Sequence, residues 1–152
     1  MLKKIDVYEN KTLKLTNVLC KDMIQAQSMG FEKSIQMLKA YAMSNSAQTR
    51  GPLISYTKPE DESDQIAKVD IMFQLEQEIP TSASYSFIKE VFVPNCLMGR
   101  FCGKEEDIHF VYKKLVVHAF ENDIDLIGDN YTVFVEKKEN GYITADVFMP
   151  IR

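Results

Sequence analysis

Two side chains in this sequence titrate near neutral pH unaided, His109 and His118, and proton transfer would need one of them beside an acid or a nucleophile. Both fall in one stretch of helical periodicity. His109 follows Ile108 in the first turn, where solvent exposure is expected, and His118 comes three residues after Leu115, at the edge of the apolar stripe. Neither has an acid or nucleophile at a recognisable spacing, so neither is assigned a catalytic role. Cys20, Cys96 and Cys102 would act as nucleophiles only through contacts that folding creates. They form an odd set without a Cys-x-x-Cys pair or a His cluster, which argues against a disulfide framework and against zinc. The cysteines are expected to be reduced, and no cofactor or metal is implied.

Four acids lie in or beside strand-like segments: Asp70, Glu76, Glu136 and Asp146. Glu136 adjoins the lysine-rich turn Lys137-Lys138, and Glu76 begins the acidic exit Glu76-Gln77-Glu78, so both read as solvated strand ends. Asp70 and Asp146 stand at corresponding places in the two halves of the chain, and pairing with local backbone or a loop is expected of them before catalysis.

The elements that must position these groups are legible from periodicity. Phe31, Ile35, Leu38 and Ala42 recur at helical spacing, with Met37 and Tyr41 as a flanking row, and predict an amphipathic helix near 29 to 46 with Ser28 as N-cap. Two strands follow, Leu53 to Thr57 and Ala67 to Glu76, the second alternating at Val69, Ile71, Phe73 and Leu75. Between them Lys58-Pro59-Glu60-Asp61-Glu62-Ser63-Asp64 reads as a solvated hairpin loop, not a metal site.

The same order then recurs. Ile108, Val111, Tyr112, Leu115, Val116 and Ala119 predict a second helix near 104 to 121, with Glu105-Glu106-Asp107 at the positive end of its dipole. Strands follow at Tyr131 to Glu136 and Tyr142 to Ile151, joined by a turn carrying Asn140-Gly141. Phe31 and Ile108, Leu38 and Leu115, Ala42 and Ala119, and Gly51 and Gly128 are each 77 apart, while Asp70 and Asp146 are 76 apart. Each helix is preceded by a further strand candidate, Leu13 to Ile24 and Phe87 to Phe101. Each half therefore reads strand, helix, strand, strand. A period this long points to two related halves sharing a core, not to a solenoid.

The order of elements, the glycine leading the second strand of each unit, and the closing phrase Asp146-Val147-Phe148-Met149-Pro150-Ile151 resemble the GyrI-like small-molecule-binding family. That family includes the gyrase-inhibitory protein and the effector-binding domains of multidrug-responsive transcription regulators. The resemblance runs from residue 12 to 151. It implies an α+β fold in a single domain. Duplicated βαββ units, about 12–80 and about 85–151, would form a pseudo-two-fold antiparallel sheet of up to eight strands, with two helices on one side and a ligand cleft between the halves.

Members of the family that bind cationic drugs carry a stretch like Gly-Pro-x-Tyr-Glu-x-Tyr, whose glutamate serves as counter-ion. The matching stretch here is Gly128-Asp129-Asn130-Tyr131-Thr132-Val133-Phe134, so Thr132 takes the place of the acid and Phe134 that of the second tyrosine. In the first half, Gly51-Pro52-Leu53-Ile54-Ser55-Tyr56-Thr57 has Ser55 at that place. Strand alternation puts Thr132 and Phe134 on one face and Tyr131, Val133 and Val135 on the other. Family geometry would turn Thr132 and Phe134 into the cleft. Tyr56, Phe73 and Tyr112 are the other candidate ligand-binding residues, and the set suits a neutral or amphipathic small molecule. Each aromatic has an alternative use as core filling.

Two other readings stay open. Eight methionines and exposed sheet edges would suit a protein-interaction or inhibitory module, or a homodimer. Some GyrI-like proteins resemble hydrolases with a pocket glutamate, for which Glu76 and Glu136 are the candidates.

Composition narrows the classes further. A chain of 152 residues is of ordinary single-domain size and buries roughly 70% of its unfolded surface. No run approaches the ~20 apolar residues of a membrane helix, and the opening Met1-Leu2-Lys3-Lys4-Ile5-Asp6 lacks the apolar segment of a secretory signal. A cytoplasmic location without membrane contact is expected. Residues 1 to 76 hold ten basic and ten acidic side chains, whereas residues 77 to 152 hold eight and twelve. An acidic excess is the wrong sign for neutralising phosphates, so nucleic acid is not expected as a direct partner. With no DNA-binding helices in the sequence, the regulator role of some family members is not expected either.

Overall fold

The computed structural model describes residues 4–22, 31–58 and 68–152. The expected N-cap at Ser28 and the acidic loop from Pro59 onward lie outside them. In order, the elements are β1 (Val7–Asp22), α1 (Phe31–Ser44), β2 (Thr49–Thr57), β3 (Val69–Leu75), β4 (Ser86–Lys104), α2 (His109–Glu121), β5 (Asn130–Lys137) and β6 (Tyr142–Pro150), with a 3-10 turn at Glu105–Asp107 before α2. This is the strand, helix, strand, strand order, twice. The acids at Glu105–Asp107 thus occupy a separate 3-10 turn, not the first turn of α2.

All pairings are antiparallel, and the strands close into a barrel in the order β1-β3-β2-β5-β6-β4. Exchanging β1 with β4, β2 with β5 and β3 with β6 reverses that order onto itself, which is the pseudo-two-fold relation between the halves. Its axis passes between β2 and β5 on one side and between β1 and β4 on the other.

Among the described residues the strands number six, where the family resemblance allowed up to eight, because β1 and β4 each run unbroken through two pairing environments. β4 pairs with β1 along Val7 to Cys20, while β3 joins β1 only from Val18; likewise β6 joins β4 only from Cys96. Just before each junction stands an asparagine with left-handed backbone, Asn17 at φ 51 and Asn95 at φ 56. Such a residue inverts the alternation of a strand. Leu13, Leu15, Val91 and Val93 therefore share the cluster opposite the helices, whereas Leu19 and Leu97 face them.

The core has three parts. Leu38 and Ala42 of α1 pack on Leu19, Ile71, Phe73 and Leu75. Val111, Leu115 and Ala119 of α2 pack on Leu97, Phe101, Ile143, Ala145 and Val147. The third cluster takes side chains from all six strands, among them Leu15, Ile54, Met72, Val93, Val133 and Phe148, and lies inside the barrel. The helices thus lie outside the barrel, α1 over β1 and β3, α2 over β4 and β6. The β2–β5 seam falls between the two helix-covered regions.

Gly51 and Gly128 have φ of +80 and +108, a region that side chains with a Cβ rarely adopt. That explains why a glycine recurs at the start of β2 and just ahead of β5.

Candidate functional site

Antiparallel pairing sets β2 against β5 with Ile54 opposite Val133, Ser55 opposite Thr132, Tyr56 opposite Tyr131, and Thr57 opposite Asn130. Alternation then separates two sets of side chains, one facing the helices and one facing the barrel interior.

On the helix side a row runs from Ile71 through Ser55 and Thr132 to Val147. Ile71 packs under α1 and Val147 under α2, so Ser55 and Thr132 form the centre of the seam. Thr132 is fully buried and its hydroxyl shares a hydrogen bond with the phenol of Tyr112, which α2 brings down onto the strand. Asn130 Oδ1 accepts a weaker bond from the same hydroxyl at 3.4 Å. Burial pushes the Tyr112 phenol above its ordinary range, and the bond from Thr132 partly opposes this. Phe134, half-buried on the same face, packs like Tyr112 against the cluster under α2, and Phe73 lies under α1 with Lys39 Nζ 5.3 Å from its ring centre. Of the five residues singled out from sequence, Phe73, Tyr112, Thr132 and Phe134 therefore share the helix side. Tyr56 does not join them.

Tyr56 points into the barrel instead, against Tyr131, with ring centres 4.4 Å apart and planes tilted by 31°. Its hydroxyl donates to Asp129 Oδ2 at 2.8 Å, while Asp129 Oδ1 is buried without a hydrogen-bond partner among the described residues. Burial first, then the bond to Asp129 and its charge, push the Tyr56 phenol up beyond the usual tyrosine range. Tyr131 is pushed up to about 12 by burial and by Asp129. Asp129 gave no sign of a role in the sequence. Periodicity describes strands, and this residue sits one place ahead of one.

The paired acids Asp70 and Asp146 do have structural partners: Asp70 meets Lys58, the first residue of the expected loop, whereas Asp146 meets Arg100 on the neighbouring strand instead of backbone or a loop. Arg100, directly across from Asp146, donates Nε to Oδ1 at 2.7 Å and a second nitrogen to Oδ2 at 2.9 Å. Asp70 stands across from Asp22, a like-charge pairing, and Lys58 relieves it with Nζ at 3.3 Å from Asp70 and 4.0 Å from Asp22.

The remaining candidates for chemistry are scattered. Glu76 and Glu136 are exposed. Burial pushes the Cys20 thiol up to about 12, with Asp70 adding to it, and the Cys96 thiol up to about 11, so neither is a nucleophile at neutral pH. His109 Nδ1 lies 3.3 Å from the carbonyl of Glu106. His118 Nε2 lies 3.0 Å from Glu9 Oε1, an acid that β1 supplies from 109 residues away and that no sequence spacing could reveal. Among the described residues no group of three or more His, Cys, Asp or Glu is placed to hold a metal, and no helix is long and apolar enough to cross a membrane.

Residues 14–149 match the family model described as "Domain of unknown function (DUF5085)". The chain belongs to the DUF5085 family. Among curated proteins no match is found. Solved structures similar to this DUF5085 chain include the C-terminal domain of EcmrR, at 12% identity and TM-score 0.64, covering 100% of this chain and 99% of that one. A hydrolase from Listeria innocua aligns at 12% identity and TM-score 0.63, over 98% of this chain and 92% of the other. SAV2435 bound to tetraphenylphosphonium aligns at 11% identity and TM-score 0.52, over 99% and 94%. At such identities the likeness is one of fold.

Proposed function

We propose that this DUF5085 chain is a GyrI-like small-molecule-binding domain whose ligand, neutral or amphipathic, sits against the helix side of the β2–β5 seam between α1 and α2. The observation that carries this reading is the chemistry at the pseudo-two-fold axis: two hydroxyls in register, Ser55 and Thr132, a phenol reaching Thr132 from α2, and aromatic walls at Phe73 and Phe134. No side chain in this set is acidic. Hydroxyls and aromatic faces recognise a ligand by shape and by single hydrogen bonds, without demanding charge. SAV2435, which has this fold, binds tetraphenylphosphonium, so a bulky aromatic molecule is an appropriate probe. Tyr112 engages the Thr132 hydroxyl, and a ligand hydroxyl or carbonyl would take its place.

The test is a thermal-shift and fluorescence-binding screen of the full chain with paired probes, tetraphenylphosphonium and its neutral analogue tetraphenylmethane solubilised in a carrier, extended to a neutral lipophilic library. Neutral compounds are expected to stabilise the protein, with Phe134→Ala weakening them at least tenfold. The reading fails if only cations bind, or if Phe134→Ala and Thr132→Val leave every response unchanged.

A second reading, a protein-interaction module, is favoured by one feature: the outer face of α2 exposes Phe110, Val116, Val117 and Phe120, the last at 84%. It predicts a stable complex that Phe120→Ser disrupts without affecting small-molecule response.

A further inference from the structure

The acid absent from the helix side of the seam has a counterpart on its reverse. Tyr56 and Tyr131 stand opposite one another inside the barrel, and Asp129 sits at their edge, anchored through Oδ2 by the Tyr56 hydroxyl. Its other oxygen, Oδ1, is buried with no hydrogen-bond donor among the described residues. Nearby, Lys58 is engaged with Asp70 and Asp22, so its charge is spent on those two carboxylates. Among the described residues Asp129 has a neutral phenol for a partner and no cation.

A carboxylate oxygen withdrawn from water without a donor leaves its desolvation uncompensated. The missing complement is a donor that also carries positive charge. The two tyrosine rings add to the same requirement, because the face of an aromatic ring attracts a cation and shields it from water. A metal ion does not fit this set, which offers one carboxylate oxygen and no group of three ligating side chains.

The geometry points to a binding site for a small organic ammonium at Asp129, in which N–H donates to Oδ1 and the alkyl portion lies against Tyr56 and Tyr131. This site is on the opposite face of the sheet from the seam and does not depend on what binds there. It gives Tyr56 a ligand role different from the one its place in the sequence suggested. A donor is required, so a primary ammonium is preferred over a quaternary one of similar size.

The experiment is NMR titration of the full chain, with tyrosine rings labelled, using n-butylammonium chloride, its neutral isostere 1-butanol, and tetramethylammonium chloride. The Tyr56 and Tyr131 ring resonances are expected to shift saturably with n-butylammonium, and at least tenfold more weakly with the other two. Asp129→Asn is expected to weaken n-butylammonium binding at least tenfold while Thr132→Val leaves it unchanged. Should Asp129→Asn fail to fold, Tyr131→Leu, which keeps an apolar side chain at that place, is expected to weaken binding in the same way. The assignment is overturned if the rings do not respond to millimolar n-butylammonium, or if 1-butanol or tetramethylammonium binds as tightly. It is equally overturned if a folded Asp129→Asn or Tyr131→Leu variant binds as the parent does. Loss of n-butylammonium binding in Thr132→Val would place the cation at the seam and refute it, whereas failure of neutral probes at the seam leaves this site untouched.

Discussion

Ser55 and Thr132 face one another in register across the β2–β5 pairing, at the centre of the barrel's strand order. They are separated by 77 residues, the same interval that relates the two helices, so the pseudo-two-fold axis passes between two hydroxyls. Symmetry breaks at the next shell, where among the described residues Thr132 alone of the two bonds to a helix residue, Tyr112.

That bond gives the first prediction. Thr132→Val removes the hydroxyl from a fully buried site and leaves the half-buried phenol of Tyr112 without its partner. A loss of about 1 to 2 kcal/mol is expected, and Tyr112→Phe should cost about 1 kcal/mol. Because both variants delete one interaction, the double variant should cost less than their sum. Urea denaturation of the four proteins measures this; strict additivity would mean that the two groups do not interact.

The next prediction concerns the strand kinks. Asn17 and Asn95 hold left-handed backbone at the points where β1 and β4 acquire their second neighbours. Asparagine tolerates this conformation and alanine does not, so Asn95→Ala should destabilise by about 1 kcal/mol. Asn95→Gly should be close to neutral. A fall in Tm of roughly 2 to 4 °C for alanine and little change for glycine is the expected calorimetric result. Equal loss in both would assign the effect to the side chain instead of the backbone.

These kinks also mark what the sequence did and did not disclose. The helices and the four short strands were legible because Leu38 and Ala42, Val111 and Leu115, and Ile71 and Phe73 keep one periodicity from end to end. Within β1 and β4 the alternation inverts at Asn17 and Asn95, which the expected strands Leu13 to Ile24 and Phe87 to Phe101 span without registering; the unread part of β1, Val7 to Thr12, is mostly exposed and carries no apolar alternation, and Ile24 lies outside the described residues. The face shared by Thr132 and Phe134 followed from alternation alone. Tyr56 was assigned to the ligand site by residue type, although it stands one place from Ser55 and must point the other way. Asp129, Glu9 and Lys58 gain their partners from residues that are remote in the chain or outside its regular patterns, and no local spacing encodes such contacts.

Alkaline pH provides a third test. The thiols of Cys20 and Cys96 are raised from an ordinary 9.0 to about 12 and about 11, chiefly by burial. In both, the folded state holds the proton more tightly than the unfolded state does. Stability from this source is complete below pH 9.0 and is lost as pH rises through 11 and 12. Each thiol contributes a slope of up to about 1.4 kcal/mol per pH unit in that window. Denaturation measured between pH 8 and pH 11 should therefore steepen above 9.0, and Cys20→Ala should flatten the slope whatever it does to stability at neutral pH. An unchanged slope would remove Cys20 as its source.

Arg100 and Asp146 allow the two halves to be compared directly, because Asp22 occupies in β1 the place that Arg100 holds in β4. The Arg100 side chain is 54% exposed and that of Asp146 only 12%. Removing either partner is therefore not equivalent. Arg100→Leu strands a largely buried carboxylate and should cost about 2 to 3 kcal/mol, whereas Asp146→Asn leaves a guanidinium that water can solvate and should cost about 1 kcal/mol. In the first half the order inverts: Asp22→Asn relieves the repulsion with Asp70 while Lys58 keeps its closer contact, so it should be neutral or stabilising. Lys58→Met exposes that repulsion and should destabilise. Denaturant midpoints for the four variants settle the ranking, and a stabilising Arg100→Leu or a strongly destabilising Asp22→Asn would contradict the ion-pair geometry from which it follows.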